Sequence, residues 1–263
     1  MRFLYTTDLH GDCNSYEAVL RYALSNRIKL IHLGADLLPK GSHIIELQKQ
    51  FLKGYFKEYY ARCSTFGIKL LAFFGNDDIY TGKKHFIPYG SLLDEKPYEQ
   101  DGYIFTAYGF VPDYPFGLKS ACKSDYKGWT HPLYWGRPVD IGKTGLEDII
   151  NIEEYFDKKG TIEEDLQTFK GGPTIIAAIH SPPTGLGLDM VARRECVGSK
   201  AVMEWVDREQ PLLLLSGHIH ESPGMTNIWK GTMGKSTVIQ PGQYFIVDIQ
   251  IENGEVKSDR YPI

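Results

Sequence analysis

Apolar residues in this chain gather into short unbroken runs, and turn-forming or charged residues collect directly after them. The runs fall at 2–7, 29–33, 68–74, 103–108, 174–179 and 211–216, with a closing extended segment from Thr237 onward. Continuous rather than alternating apolarity predicts strands covered on both faces. Between the early runs the apolar spacing becomes helical. Val19, Leu20 and Ala23 share one face of a helix predicted over 16–24, with Asn14 or Ser15 as its cap. Ile44, Leu47, Phe51, Tyr55 and Tyr59 recur through 43–65, the longest helical stretch, and Val202, Trp205 and Val206 do so over 200–208, just after Gly198-Ser199. Alternating strands and helices predict parallel strands joined by crossover helices. Near the end, 245–251 and 256–260 flank Asn253-Gly254, a pair that accepts the positive φ angles of a tight hairpin turn. The sheet system is therefore mixed.

Residues 79–173 break this rhythm. They are rich in Tyr, Gly, Pro and Lys and contain Pro112-Asp113-Tyr114-Pro115-Phe116-Gly117. A stretch of this length is too long for an idle connection, and lids or recognition loops are common uses. With no repeat and no Ser/Gly linker, the expectation is one domain over 1–263 with an elaborated middle.

Composition narrows the class. At 263 residues the chain can bury a large core, so bound metals would serve chemistry rather than folding. A net charge of −4 without a basic run does not favour duplex nucleic acid as a partner. Cys13, Cys63, Cys122 and Cys196 are scattered, with neither zinc-ligand spacing nor a disulfide framework. No apolar stretch reaches the roughly 20 residues of a bilayer span, and the N-terminus runs straight into a strand without a leader pattern. A soluble cytoplasmic protein with no membrane partner is expected.

The chemistry lies where the apolar runs end. Five motifs occur in order: Asp8-Leu9-His10, Gly34-Ala35-Asp36, Gly75-Asn76-Asp77-Asp78, Ile179-His180 and Gly217-His218-Ile219-His220. Together they offer carboxylate, imidazole and amide oxygen, a mixture suited to Mn²⁺, Fe²⁺ or Zn²⁺. A ligand just beyond a strand stands on a rigid support facing the crevice at the strand ends. Asp8 and His10, two apart on extended chain, would point to the same side and could share one ion; the same offset would aim His218 and His220 alike, and Asp36 can bridge two ions with its paired oxygens.

This series resembles the calcineurin-like metallophosphoesterase superfamily, with the pattern D-x-H, G-D, G-N-H-D/E, H and G-H-x-H, in a prokaryotic branch akin to cyclic-nucleotide phosphodiesterases. The likeness runs from Asp8 to about Gly242 and is thin across 79–173. It implies an α/β fold, a four-layer α-β-β-α sandwich of two mixed β-sheets flanked by helices. It also implies two divalent metal ions, one held by Asp8, His10 and His220, the other by Asn76, His180 and His218, with Asp36 between them. A hydroxide bridging that pair would attack phosphorus, making the chain a phosphoesterase, with diesters favoured over monoesters. The implied substrate is a small phosphoester, nucleotide-like ones included.

Two departures stand out. An extra Ala35 separates Gly34 from Asp36, and the family's histidine after Asn is Asp77 here. With Asp77 and Asp78 as the candidate catalytic residues, three explanations stay open. Asp77 acts as an acid if the crowded negative site raises its pKa; His43 or His85 moves in; or the leaving group needs no proton. The alternative reading is a non-catalytic binding module on the same fold. On the substrate side, Arg193 and Arg194 precede the helix start at Gly198-Ser199, where a guanidinium fork and free N–H groups suit phosphate. Tyr80, Tyr89, Tyr114, Trp129, Tyr134 and Trp135 could stack a base, although loop packing also explains them. His32 reads as a core residue, His131 as an exposed polar side chain, and Lys83-Lys84 as a solvated face that could also steer an anion.

Overall fold

The computed structural model describes residues 1–79, 82–142 and 145–263; Tyr80 lies outside them. Among the described residues the first strands are β1 (Arg2–Thr6), β2 (Leu30–Leu33), β3 (Lys69–Ala72), β4 (Ser91–Leu92), β5 (Tyr98–Gln100) and β6 (Tyr103–Tyr108). Short ladders β7 (Val111–Pro112) with β8 (Cys122–Lys123), and β9 (Val139–Ile141) with β10 (Leu146–Asp148), punctuate the middle region. The chain then forms β11 (Ile175–Ile179), β12 (Leu213–Leu215), β13 (Lys230–Met233), β14 (Ser236–Ile239), β15 (Phe245–Glu252) and β16 (Glu255–Pro262).

One sheet runs β16-β15-β1-β2-β3-β4 and the other β13-β14-β12-β11-β6-β5. Their central neighbours are parallel, while β15, β16, β13 and β5 add antiparallel pairings at the edges. The Asn253-Gly254 turn forms as expected, with φ of 53° and 79°.

Alternation inside each apolar run explains why it holds so few polar positions. Phe3 and Tyr5 of β1, Leu71 of β3, Phe105 of β6, Ile176 and Ala178 of β11 and Leu213 and Leu215 of β12 share a core between the two sheets. The intervening residues face helices. Leu4, Ile31 and Leu70 pack against Tyr16, Val19 and Leu20 of α1 (Cys13–Ser25) and against Leu52, Phe56 and Tyr59. Ile175, Ala177 and Leu214 pack against Val202, Trp205 and Val206 on the helix Lys200–Glu209. The result is the expected four-layer sandwich, each strand serving two cores. No helix among the described residues is long and apolar enough to cross a membrane.

Two local expectations are corrected. Asp12 caps α1, accepting from the amides of Asn14 and Ser15, which lie inside the first turn. The 43–65 stretch is α2 (Ile44–Phe51), a π turn at Leu52–Phe56 and α3 (Lys57–Thr65) in direct succession. Its buried face carries Gln48, Leu52, Phe56, Tyr59 and Cys63, displaced from the stripe of Ile44, Leu47, Phe51 and Tyr55, which are half-buried. Gln48 faces inward because three backbone groups need its amide there, Pro39 O, Asp77 O and Ile79 N.

His32 is a core residue, enclosed by Tyr5, Phe73 and Phe105. His131 is not surface decoration: it bonds Asp113 and stacks on Phe156. Lys83 is likewise engaged, with Asp94 and Glu95.

Candidate metal centre

The parallel strands of both sheets release the chain into turns that converge. Asp8 and His10 follow β1, Asp36 follows β2, Asn76 follows β3, His180 follows β11, and His218 and His220 follow β12. Backbone bonds lock the turns to one another: Asp8 N–H donates to Ala35 O at 2.9 Å, His10 N–H to Asp36 O at 2.9 Å and Gly217 N–H to His180 O at 3.0 Å. Asp8, His10, Asp36 and His218 have positive φ, at 58°, 44°, 55° and 65°. Non-glycine residues hold this conformation at a cost of about 1–3 kcal/mol each when the surroundings impose it. Gly75 and Gly217 are required by crowding: a Cβ on the first would strike the Asp36 carboxylate and His180 Nε2, and on the second the Asp8 carboxylate.

Seven side chains therefore meet. Donor atoms of Asp8, His10, Asp36 and His220 lie within 4.8 Å of one another, and so do those of Asp36, His180 and His218. Asp36 belongs to both groups. Asn76 joins the second through Oδ1, 3.0 Å from His180 Nε2, which also lies 3.3 Å from Asp36 Oδ2. In the first group, His220 Nε2 lies 3.0 Å from Asp8 Oδ1 and 3.2 Å from His10 Nε2. Hard carboxylate and amide oxygens mixed with imidazole nitrogens, aimed at common points, fit two divalent cations.

The electrostatics have the same character. Burial alone would raise the Asp8 carboxyl, but the imidazoles of His220 and His180 outweigh it and hold it down at about 2. Burial likewise opposes, and His180 again reverses, the shift of Asp36, which lies well below the usual carboxylate range. His180 is pulled down by burial yet lifted to about 9 by Asp36 and Asp8, while His218, buried beside it, is pushed down to about 3. Of the imidazoles, His180 and His220 are the two whose affinity for a proton is raised by the carboxylates, the role that bound cations would otherwise fill.

Asp77 and Asp78 have different surroundings. Asp77 donates its N–H to Asp36 Oδ1 at 2.8 Å and pairs with Lys40 Nζ at 2.5 Å. Burial and the Asp36 charge raise its carboxyl to about 6 against the pull of Lys40. Asp78, raised to about 7 by burial and Asp36, accepts the amides of Leu37, Leu38 and Gly75. Both of its oxygens thus hold the ligand-bearing turns. Neither His43 nor His85 belongs to the cluster. His43 adopts left-handed φ at the start of α2, and His85 sits among Lys53, Lys84 and Lys49.

The middle region reaches the site through Tyr114. Its hydroxyl accepts from Asn76 Nδ2 at 3.2 Å, and its ring stands 5.5 Å from that of His218. Beneath it, fully buried Lys119 pairs with fully buried Asp113 at 2.8 Å and donates to Tyr114 O. Tyr114 leads outward to Phe116 and then to Trp135, over which the Arg193 guanidinium lies at 4.5 Å. Phe116 and Trp135 are each 58% exposed.

Arg193 therefore stands at an aromatic rim and Arg194 is exposed on the same loop. The expected anion site at the Gly198-Ser199 helix start is already filled: Asp125 accepts from Ser199 Oγ, Lys200 N and Ala201 N, and Ser199 Oγ accepts from Val202 N. Tyr89 packs on the α2–α3 face, Tyr134 bonds Asp113, and Trp129 lines a separate groove of about 680 Å³ with His131 and Phe156.

Sequence reasoning missed Lys40 and Gln48. Lys40 follows Pro39 in the turn after Asp36 and bears no motif. Gln48 had a usable signal, since it begins the helical series 48, 52, 56, 59 and 63 as its one polar member.

Two packed mixed sheets with a carboxylate–imidazole cluster at their strand ends define an α/β protein with a two-ion type of site. Residues 1–222 match the model of the calcineurin-like phosphoesterase family, and the chain belongs to that family. No curated protein is close enough in sequence to count as a match. Among solved structures, TT1561 of Thermus thermophilus aligns over 98% of this chain and 97% of its own, at 15% identity and a TM-score of 0.55. A dimetal phosphatase from Danio rerio aligns over 100% and 96%, at 10% identity and a TM-score of 0.55. At such identities the likeness is one of fold.

Proposed function

We propose that this chain is a binuclear-metal phosphoesterase acting on small phosphodiesters, nucleotide-like ones among them. The observation that carries the reading is Asp36, whose carboxylate is common to both donor groups. Asp8, His10 and His220 would hold one divalent ion, Asn76, His180 and His218 the other, and Asp36 both. When bound, such a pair supplies Lewis acidity toward phosphoryl oxygens and lowers the pKa of water.

The contribution of the chain is placement. Asp77 N–H fixes one Asp36 oxygen, and Tyr114 holds the Asn76 amide so that its oxygen faces His180. The left-handed turns are set before substrate arrives, so little reorganisation is left for the reaction itself. Lys40, the ammonium beside this cluster, is already balanced by Asp77. Phe116 and Trp135, set edge to face at 81°, and Arg193 add an exposed aromatic rim with a cation, suited to a ring carried by the ester.

The test is hydrolysis of bis(4-nitrophenyl) phosphate against 4-nitrophenyl phosphate with Mn²⁺, Fe²⁺ or Zn²⁺. The diester is expected to turn over faster, and Asp36→Asn or His218→Ala to abolish turnover of both. A folded, metal-loaded protein inert toward both esters would overturn the reading in favour of a binding module.

A further inference from the structure

Lys40 is charged, stands on the side of the cluster formed by Asp8, His10, Asp36 and His220, and is not needed to hold a cation. Its Nζ lies 2.5 Å from Asp77 Oδ2. The charges of Asp36 and Asp8 also reach it, and its own charge reaches His10 and His220. Its backbone is fixed from three directions. Pro39 packs where a Cβ on Gly11 would be. The Asp78 carboxylate binds the amides of Leu37 and Leu38. Buried Gln48 donates from Nε2 to Pro39 O at 3.2 Å and to Asp77 O at 2.7 Å, and accepts from Ile79 N at 2.8 Å. One amide side chain thus sets the spacing between the segment that carries Lys40 and the segment that carries Asp77.

An ordinary surface ion pair is worth little and needs no such support. Here the support is built into the core, and Asp77 is tied in turn to Asp36 through its N–H at 2.8 Å. The Lys40 side chain is 47% exposed, and an ammonium has three N–H donors, of which Asp77 takes one. The others are available to a substrate oxygen at the mouth of the site.

We propose that Lys40, positioned by Asp77, donates a hydrogen bond to the leaving oxygen of the phosphoester as its bond to phosphorus breaks. The inference rests on the phosphoesterase reading above. Water supplies the oxygen that joins phosphorus, and the electron pair of the broken P–O bond stays on the leaving oxygen. One water proton remains with the phosphate product and the other ends on the alcohol. Lys40 keeps its own proton throughout and acts by charge and direction.

The experiment compares wild type, Lys40→Met and Lys40→Arg on methyl aryl phosphates with 4-nitrophenyl, phenyl and 4-methoxyphenyl leaving groups. Metal content by atomic absorption, melting midpoint and calorimetric affinity for vanadate are measured on the same samples. Lys40→Met should keep its metal content and melting midpoint and bind vanadate about tenfold more weakly. Its kcat should fall by under tenfold on the nitrophenyl ester but by about 10²–10³-fold on the two poorer leaving groups, the range for losing one transition-state donor. Lys40→Arg should recover part of that loss. An equal loss on all three esters, or a loss that tracks falling metal content, would overturn the assignment of Lys40 while leaving the phosphoesterase reading intact. A wild-type protein inert on every ester would overturn both.

Discussion

The Tyr114 hydroxyl accepts a hydrogen bond from Asn76 Nδ2 at 3.2 Å, while the opposite end of the same amide places Oδ1 3.0 Å from His180 Nε2. An amide oxygen and nitrogen are geometrically alike, so a partner on the nitrogen decides which atom enters the cluster. Tyr114→Phe removes that partner with little change of volume. Affinity for the ion held by Asn76, His180 and His218 should fall about 10–100-fold, the usual cost of losing a supporting bond to a ligand. The site of Asp8, His10 and His220 should be unaffected. Two-site calorimetry reads this directly, and equal weakening of both sites would refute it.

Because Asp36 serves both donor groups and His220 only one, their variants should differ in thermal response to metal. Saturating Mn²⁺ should raise the melting midpoint of wild type, since cations bind the folded arrangement alone. Asp36→Asn should remove most of that rise and His220→Ala only part. Identical residual shifts in the two variants would argue against a shared carboxylate.

The Lys119–Asp113 pair is fully buried and carries the segment that bears Tyr114. Lys119→Met leaves Asp113 as a buried charge that has lost its cation, which typically costs about 3–5 kcal/mol. Replacing both, as Lys119→Met with Asp113→Leu, should recover much of that loss. Urea unfolding midpoints test it, and strict additivity of the two single changes would contradict it.

His32 makes the fold sensitive to acid. Burial pushes its imidazole down to about 3, and neither ring nitrogen has a hydrogen-bond partner among the described residues. The unfolded chain takes up this proton near its ordinary pKa of about 6.5. Between that value and about 3, the unfolded state binds a proton that the folded state excludes, so stability falls as pH falls. The slope from this one residue is about 1.4 kcal/mol per pH unit. His32→Leu should flatten the stability curve between pH 6 and pH 4 relative to wild type by roughly that slope. An unchanged curve would show that His32 accepts a proton in the folded state.

Asp78 offers a way to separate support from chemistry. Its oxygens accept three backbone amides. Asp78→Ala strands those donors in the interior, at about 1–3 kcal/mol each where no water replaces the carboxylate. The melting midpoint of the metal-free protein should fall clearly, before any question of catalysis arises. A variant as stable as wild type but catalytically dead would instead place Asp78 in the reaction.

How much of this was legible before folding depends on whether the cause was local. The strand runs, the Asn253-Gly254 hairpin and the helix after Ser199 rest on near-neighbour stereochemistry and burial, and they form where expected. That these seven side chains stand at strand ends was legible because each follows an apolar run, and the end of a buried strand is a position that sequence marks clearly. Asp12 was passed over as a cap for Asn14 and Ser15 because all three can cap a helix and only the backbone path selects among them.

Sequence by itself determined that Asp8, His10, Asp36, Asn76, His180, His218 and His220 would stand at strand ends of a layered α/β fold, because hydrophobic periodicity is written residue by residue. Only the tertiary structure decided that Lys40 pairs with Asp77, that Gln48 joins their two segments, and that Tyr114 reaches across to Asn76. Those contacts connect residues far apart in the chain, and distances between such residues are set by the packing of sheets and loops rather than by any local pattern.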